Sequence, residues 1–266
     1  MLELTRLRKG LVAEEKPGGD ALAPYDGDDA FDDVFKIGQE VVCETEPRGS
    51  AEPDGASAEE LVINATGGFV GLWEQGTVLN WRFNPQALRR WQFPQQITAR
   101  VEMLFATAVK VWGDAAPVKF SYDDEAWDFE IKPLVADKQV AGGFVLAEAF
   151  FPGGGQQELR IYPKMFDPAL DPAKTLAHEI GHIFGLRHWF ALLKEQAAPA
   201  VSFGTIDDPH SIMNYGDNCR ITDLDKSDLK TLYELVWSGR LKEINGTPIR
   251  LVQPYHLLGR LVGVAA

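Results

Sequence analysis

Apolar residues at Ile97, Val101, Leu104, Phe105, Ala108 and Val111 recur at steps of three and four after Pro94, which predicts a helix that buries one face and stops at Gly113-Asp114. Strands are expected on either side of it. The stretch from Gly76 to Phe83, with Val78, Trp81 and Phe83, has the β-branched and aromatic content of a strand, and Asn84-Pro85 ends it. Val118, Phe120 and Tyr122, and then Trp127, Phe129 and Ile131, alternate as half-buried strands do, so the second trio is expected in the core. Two further strands are expected over 142–152 and 158–162, joined through the turn at Gly153-Gly154-Gly155. Asp171 as N-cap and Pro172 at the first helical position open a second helix, with Leu176, Ile180, Ile183 and Phe184 buried and Gly185 as its stop. Thr222 and Asp225 look like the cap of a third, whose buried face is Leu229, Leu232, Tyr233 and Val236. Beyond it, Asn245-Gly246 reads as a turn between short strands.

The second helix carries the chemistry. His178 and His182, four residues apart, stack two imidazoles on one face about a turn from each other, where they can share a metal ion. A third ligand, His188, becomes available if the chain leaves the helix at Gly185 in the left-handed conformation that glycine tolerates. Three imidazoles and one open position describe a catalytic zinc site rather than a closed structural one. Glu179, beside the first ligand, can reach a water at the metal without binding the ion, as a general base must. Satisfied structural histidines on an amphipathic helix would be the plainer explanation, but it leaves three of only five histidines at ligand spacing by chance.

The run His178-Glu179-x-x-His182-x-x-Gly185-x-x-His188, followed by Ser211-Ile212-Met213-Asn214-Tyr215, resembles the metzincin clan of zinc endopeptidases. The resemblance implies an α+β fold: a mixed twisted sheet, a backing helix, an active-site helix, a Met-turn and a C-terminal helix. It implies one catalytic zinc per chain on His178, His182 and His188, with Glu179 as general base and a peptide or protein as substrate. Met213 would be the floor of the Met-turn beneath the imidazoles, and Tyr215 an oxyanion donor. The segment Phe144 to Pro152 is similar to the matrixin strand that rims the cleft and accepts an extended peptide along its edge. Glu148 stands there in place of a matrixin histidine that binds a second, structural zinc, so a single zinc is expected. Trp189 stands where astacins have a glutamate. Residues 25–28 resemble an astacin-like inhibitory motif, which makes Asp28, and secondarily Cys43, candidate latency switches. Secretion is the habit of the clan.

Composition narrows the partners. A formal charge of −13, from 26 basic and 39 acidic residues, argues against nucleic acid and against an anionic membrane surface. No apolar run approaches the ~20 residues of a membrane span, and the basic start, Met1 to Lys9, has no apolar block after it that would make an export signal. Cys43 and Cys219 allow at most one disulfide. The expected organisation is an acidic, Gly/Pro-rich arm or pro-segment over 1–60, a catalytic domain over 61–239 and an extension packed on it over 240–266, in a monomer. The competing expectation keeps the fold and drops the catalysis: a zinc-containing binding module, or a protease held latent by its own arm.

Overall fold

The computed structural model describes residues 40–42, 61–65, 68–140, 143–153, 155–188, 200–203, 210–214 and 219–258; Asp28, Cys43, Trp189 and Tyr215 lie outside the described residues. In chain order the strands are β1 (Glu40–Val42), β2 (Leu61–Asn64), β3 (Val70–Trp73), β4 (Val78–Phe83), β5 (Lys119–Tyr122), β6 (Phe129–Pro133), β7 (Lys138–Val140), β8 (Gly143–Val145), β9 (Ala147–Glu148), β10 (Gln157–Ile161), β11 (Ala200–Phe203), β12 (Glu243–Ile244) and β13 (Thr247–Val252). Among the described residues three helices are longer than four residues: α1 (Pro94–Trp112), α2 (Pro172–Ile183) and α3 (Asp223–Trp237). The architecture is mixed α/β.

A five-stranded sheet in the order β5-β4-β6-β10-β9 forms the centre. β4 runs parallel to β5 and β6, β6 parallel to β10, and only β9 is antiparallel. Parallel neighbours require a crossover, and α1 is the one between β4 and β5. Its buried row is Ile97, Val101, Leu104, Phe105 and Ala108, as the period predicts, with Trp112 rather than Val111 as the last anchor. The Trp112 indole N–H donates to Ala177 O at 2.9 Å, which ties α1 to α2.

β4 forms where its β-branched and aromatic content predicts, with Leu79, Trp81 and Phe83 buried and Val78 exposed, and alternation identified the inward face of β6, where Phe129 and Ile131 are fully buried. Trp127 departs from the expectation. The strand begins two residues later, and Trp127 lies half-buried beneath the Arg82 guanidinium, 4.4 Å from its ring centre. Asp128 intervenes: its carboxylate accepts from the Asn80 backbone N–H at 2.6 Å and from the His256 backbone N–H at 2.8 Å. The expected strand over 142–152 also divides. β8 belongs to a separate sheet, β1-β8-β7, and β9 to the central one; at the break, the Leu146 carbonyl accepts the Tyr162 N–H at 2.9 Å. Residues 145–150 are all buried, so hydrophobicity alone could not reveal where the chain changes sheets.

The tail folds as its turn signal suggests. Asn245 (φ 48°) and Gly246 (φ 78°) join β12 to β13, and β13 pairs in parallel with β3, Ile249 opposite Val70. Among the described residues no helix is long and apolar enough to cross a membrane.

Candidate metal centre

α2 starts on the predicted cap: the Asp171 carboxylate accepts from the backbone N–H of Ala173 at 2.9 Å and of Lys174 at 3.0 Å, and Pro172 needs no partner. Its end is more elaborate. Gly185 has φ 98°, the Gly185 N–H bonds to His182 O at 2.9 Å, and the Leu186 N–H reaches back to Gly181 O at 3.0 Å, which is a Schellman turn. Two other carbonyls at this end are taken by side chains from elsewhere: the Trp73 indole donates to Ile183 O at 2.7 Å and the Tyr233 hydroxyl to Phe184 O at 2.9 Å. The helix therefore stops where its backbone is fully satisfied, and the chain doubles back with Leu186 bridged to Ile63.

That reversal brings His188 to His178 and His182. The ring centres lie 4.8 Å (His178 to His182), 5.2 Å (His178 to His188) and 4.9 Å (His182 to His188) apart. One nitrogen from each comes within 4.8 Å of the others, and all three rings are buried; among the described residues this is the one group of its kind. Three buried histidines so placed could hold a metal ion.

The donor chemistry fits that role. His178 Nδ1 lies 2.7 Å from Ile212 O and His182 Nδ1 2.7 Å from Leu186 O. A carbonyl can only accept, so each Nδ1 carries the proton and each Nε2 keeps its lone pair for a ligand. Burial, then the neighbouring His178 and His188, hold His182 well below the usual histidine range, so it stays neutral, as a metal ligand must be. The Phe151 ring stands edge-on to His182, with centres 5.4 Å apart, and the Arg187 guanidinium lies 5.5 Å from that same ring. Neither contact carries a sequence signal of its own.

Met213 is 1% exposed and packs on α2 at Gly181, the residue between Glu179 and His182 that leaves room for it; any side chain there would run into the Met213 sulfur and the Trp112 ring. Glu179 is 1% exposed and follows His178 on the helix. The turn at Ser211 to Met213 is tied to α3 by Asp225, which also completes the capping box with Thr222. The sequence suggested only the capping half of that arrangement. Burial pushes the Asp225 carboxyl up, opposed by hydrogen bonds from Ser211 and from the Thr222 and Ile212 backbone. Cys219 is a buried thiol. His256 lies away from the cluster, its Nδ1 2.9 Å from the Asp128 carboxylate.

Glu148, where the sequence predicts no second metal, is enclosed by cations and a phenol. Lys138 Nζ lies 2.7 Å away, Arg160 Nη1 3.7 Å, and the Tyr162 hydroxyl donates to it. These partners satisfy the carboxylate without an ion.

No protein-family model and no curated protein sequence matches the chain. Among solved structures, that of myroilysin is similar with a TM-score of 0.39 and 15% identity, over 61% of this chain and 95% of that one. A likeness this loose bears on neither fold nor activity.

Proposed function

We propose that the chain is a zinc-dependent endopeptidase of the metzincin type. The observation that supports it most is the meeting of His178, His182 and His188 around one point, with Glu179 on the same helix and Met213 packed against its Gly181. A zinc ion held by the three imidazoles would supply Lewis acidity, bringing a bound water to a pKa of about 7 and polarising the scissile carbonyl. Glu179 takes the proton of the attacking water and passes it to the leaving amine. Its near-complete burial keeps that transfer away from bulk solvent. Tyr215, outside the described residues, is assigned as a donor to the developing oxyanion. Tyr215→Phe is then expected to lower kcat with little change in KM, and an unchanged kcat would remove Tyr215 from that role.

One observation favours a latent form of the same enzyme. β1, within the proposed arm, pairs in parallel with β8, Val42 opposite Val145, two residues before β9, and the segment holding β8 and β9 is the one the resemblance assigns to the rim of the cleft. Cys43 follows β1 directly and is the nearer of the two candidate switches in sequence; Asp28 lies further upstream.

A single experiment addresses both readings. Elemental analysis is expected to find one zinc per chain, since Glu148 is already satisfied, and hydrolysis of casein or a quenched peptide library should stop with chelator and return with zinc. Tightly held zinc without hydrolysis, both in the full chain and in one lacking residues 1–60, would make this a binding module instead. Activity appearing only on truncation would establish latency.

A further inference from the structure

We infer that Ser211 and Asp225, acting through the Ile212–Met213 peptide, form a hydrogen-bond relay that positions His178 and strengthens it as a metal ligand, an inference that rests on the zinc reading of the histidines. The relay is continuous and runs one way. His178 Nδ1–H donates to Ile212 O at 2.7 Å. The N–H of that same peptide group, on Met213, donates to Ser211 Oγ at 3.0 Å. The Ser211 hydroxyl then donates to Asp225 Oδ1 at 2.6 Å. Each acceptor is attached to the next donor, so each bond polarises its neighbour, and the series ends on a carboxylate.

The surroundings suit a relay. Ser211, Ile212, Met213 and Asp225 are 5%, 1%, 1% and 3% exposed, so water does not compete along the path. The other Asp225 oxygen accepts from the backbone N–H of Ile212 at 3.1 Å, the backbone N–H of Thr222 at 2.9 Å and the Thr222 hydroxyl at 3.1 Å. Four donors and no acceptor face this group, a setting that satisfies the carboxylate form. Capping of α3 needs only the Thr222 contacts at Oδ2. The short bond to Ser211 uses the oxygen that capping leaves over, and it fixes the peptide on which the His178 ring rests.

Carboxylates that bond directly to a ligating histidine fix its tautomer and raise its basicity. Here the same influence would arrive through a peptide and a hydroxyl. Ser211 and Asp225 are thus positioning residues, and neither touches the metal or the substrate.

The test compares wild type with Ser211→Ala, which cuts the relay and leaves the Thr222 cap intact, and Ser211→Thr, which keeps a hydroxyl. Zinc affinity is measured by chelator competition, the downfield Nδ1–H resonance of His178 is followed by NMR in the zinc-loaded proteins, and the melting temperature of each metal-free protein serves as the structural control. Ser211→Ala is expected to weaken zinc about ten- to a hundredfold and move the resonance upfield, and Ser211→Thr to recover most of both. Asp225→Asn, which removes the charge at the end of the series, should move the resonance the same way and provides the test if Ser211→Ala does not fold. Wild-type affinity and an unmoved resonance in these variants would overturn the relay while leaving the zinc site standing. A wild-type chain that binds no zinc would overturn the zinc reading itself, and the relay with it.

Discussion

A Glu179→Gln chain is expected to hold one zinc as tightly as the unaltered protein and to hydrolyse peptides at least about a hundredfold more slowly, within the ~10²–10⁴-fold range of general acid–base catalysis. Glutamine has the shape of glutamate, so a side chain that is 1% exposed can be exchanged without opening a cavity. What it lacks is a basic oxygen. It can neither take a proton from the attacking water nor return one to the leaving amine, and both halves of the reaction lose their proton carrier. The three histidines are untouched, so metal content separates loss of the base from loss of the site. Normal hydrolysis with zinc in place would sink the assignment of Glu179. Loss of zinc together with activity would instead show that the glutamate serves to shape the histidine cluster.

What could be read from the chain divides by the range of the interaction that determines it. Asp171, Thr222 and Asp225 act on backbone groups two or three residues away, and Pro172 on its own backbone, so the starts of α2 and α3 were visible in short windows of sequence. The period of α1, the strand-forming content of β4 and the alternation of β6 are local for the same reason. The histidine spacing lies within one helix and its exit turn, which is why the cluster could be anticipated from eleven residues, His178 to His188.

The remainder depends on partners far away in the chain. Nothing near residue 183 announces that Trp73 and Tyr233 will cap the end of α2. Ser211 to Met213 carries no sign that the Asp225 carboxylate, besides capping its own helix, will accept from the Ser211 hydroxyl and the Ile212 N–H of this turn. The parallel pairing of β13 with β3 joins segments at opposite ends of the described fold, and the division between β8 and β9 occurs within a run where every side chain is buried. In each case the local pattern fits several arrangements and tertiary contact selects one.

Gly185 shows how closely the site depends on one such local feature, and Gly185→Ala is expected to lower zinc affinity at least about tenfold, out of proportion to its effect on the melting temperature. Left-handed backbone costs a residue with a Cβ about 1–2 kcal/mol, and Gly185 sits at φ 98°. The new methyl would also stand 3.2 Å from Leu72 Cδ2 and 3.3 Å from Gly71 O. Leu72 is fully buried, and Gly71 cannot withdraw readily, because its own α-carbon already faces Pro152 O so closely that a Cβ there would lie 2.9 Å from that oxygen. The strain therefore falls on the turn itself. The turn supplies the Leu186 carbonyl that orients His182, and it is the only covalent route by which His188 returns to the helix. Two of the three histidines would shift together, whereas His178, held from the far side by Ile212, would not. A single imidazole left in place binds zinc weakly, so affinity measured by chelator competition should register a displacement that global unfolding scarcely reports. A Gly185→Ala protein with unaltered zinc affinity would mean that this reversal does not set the positions of His182 and His188.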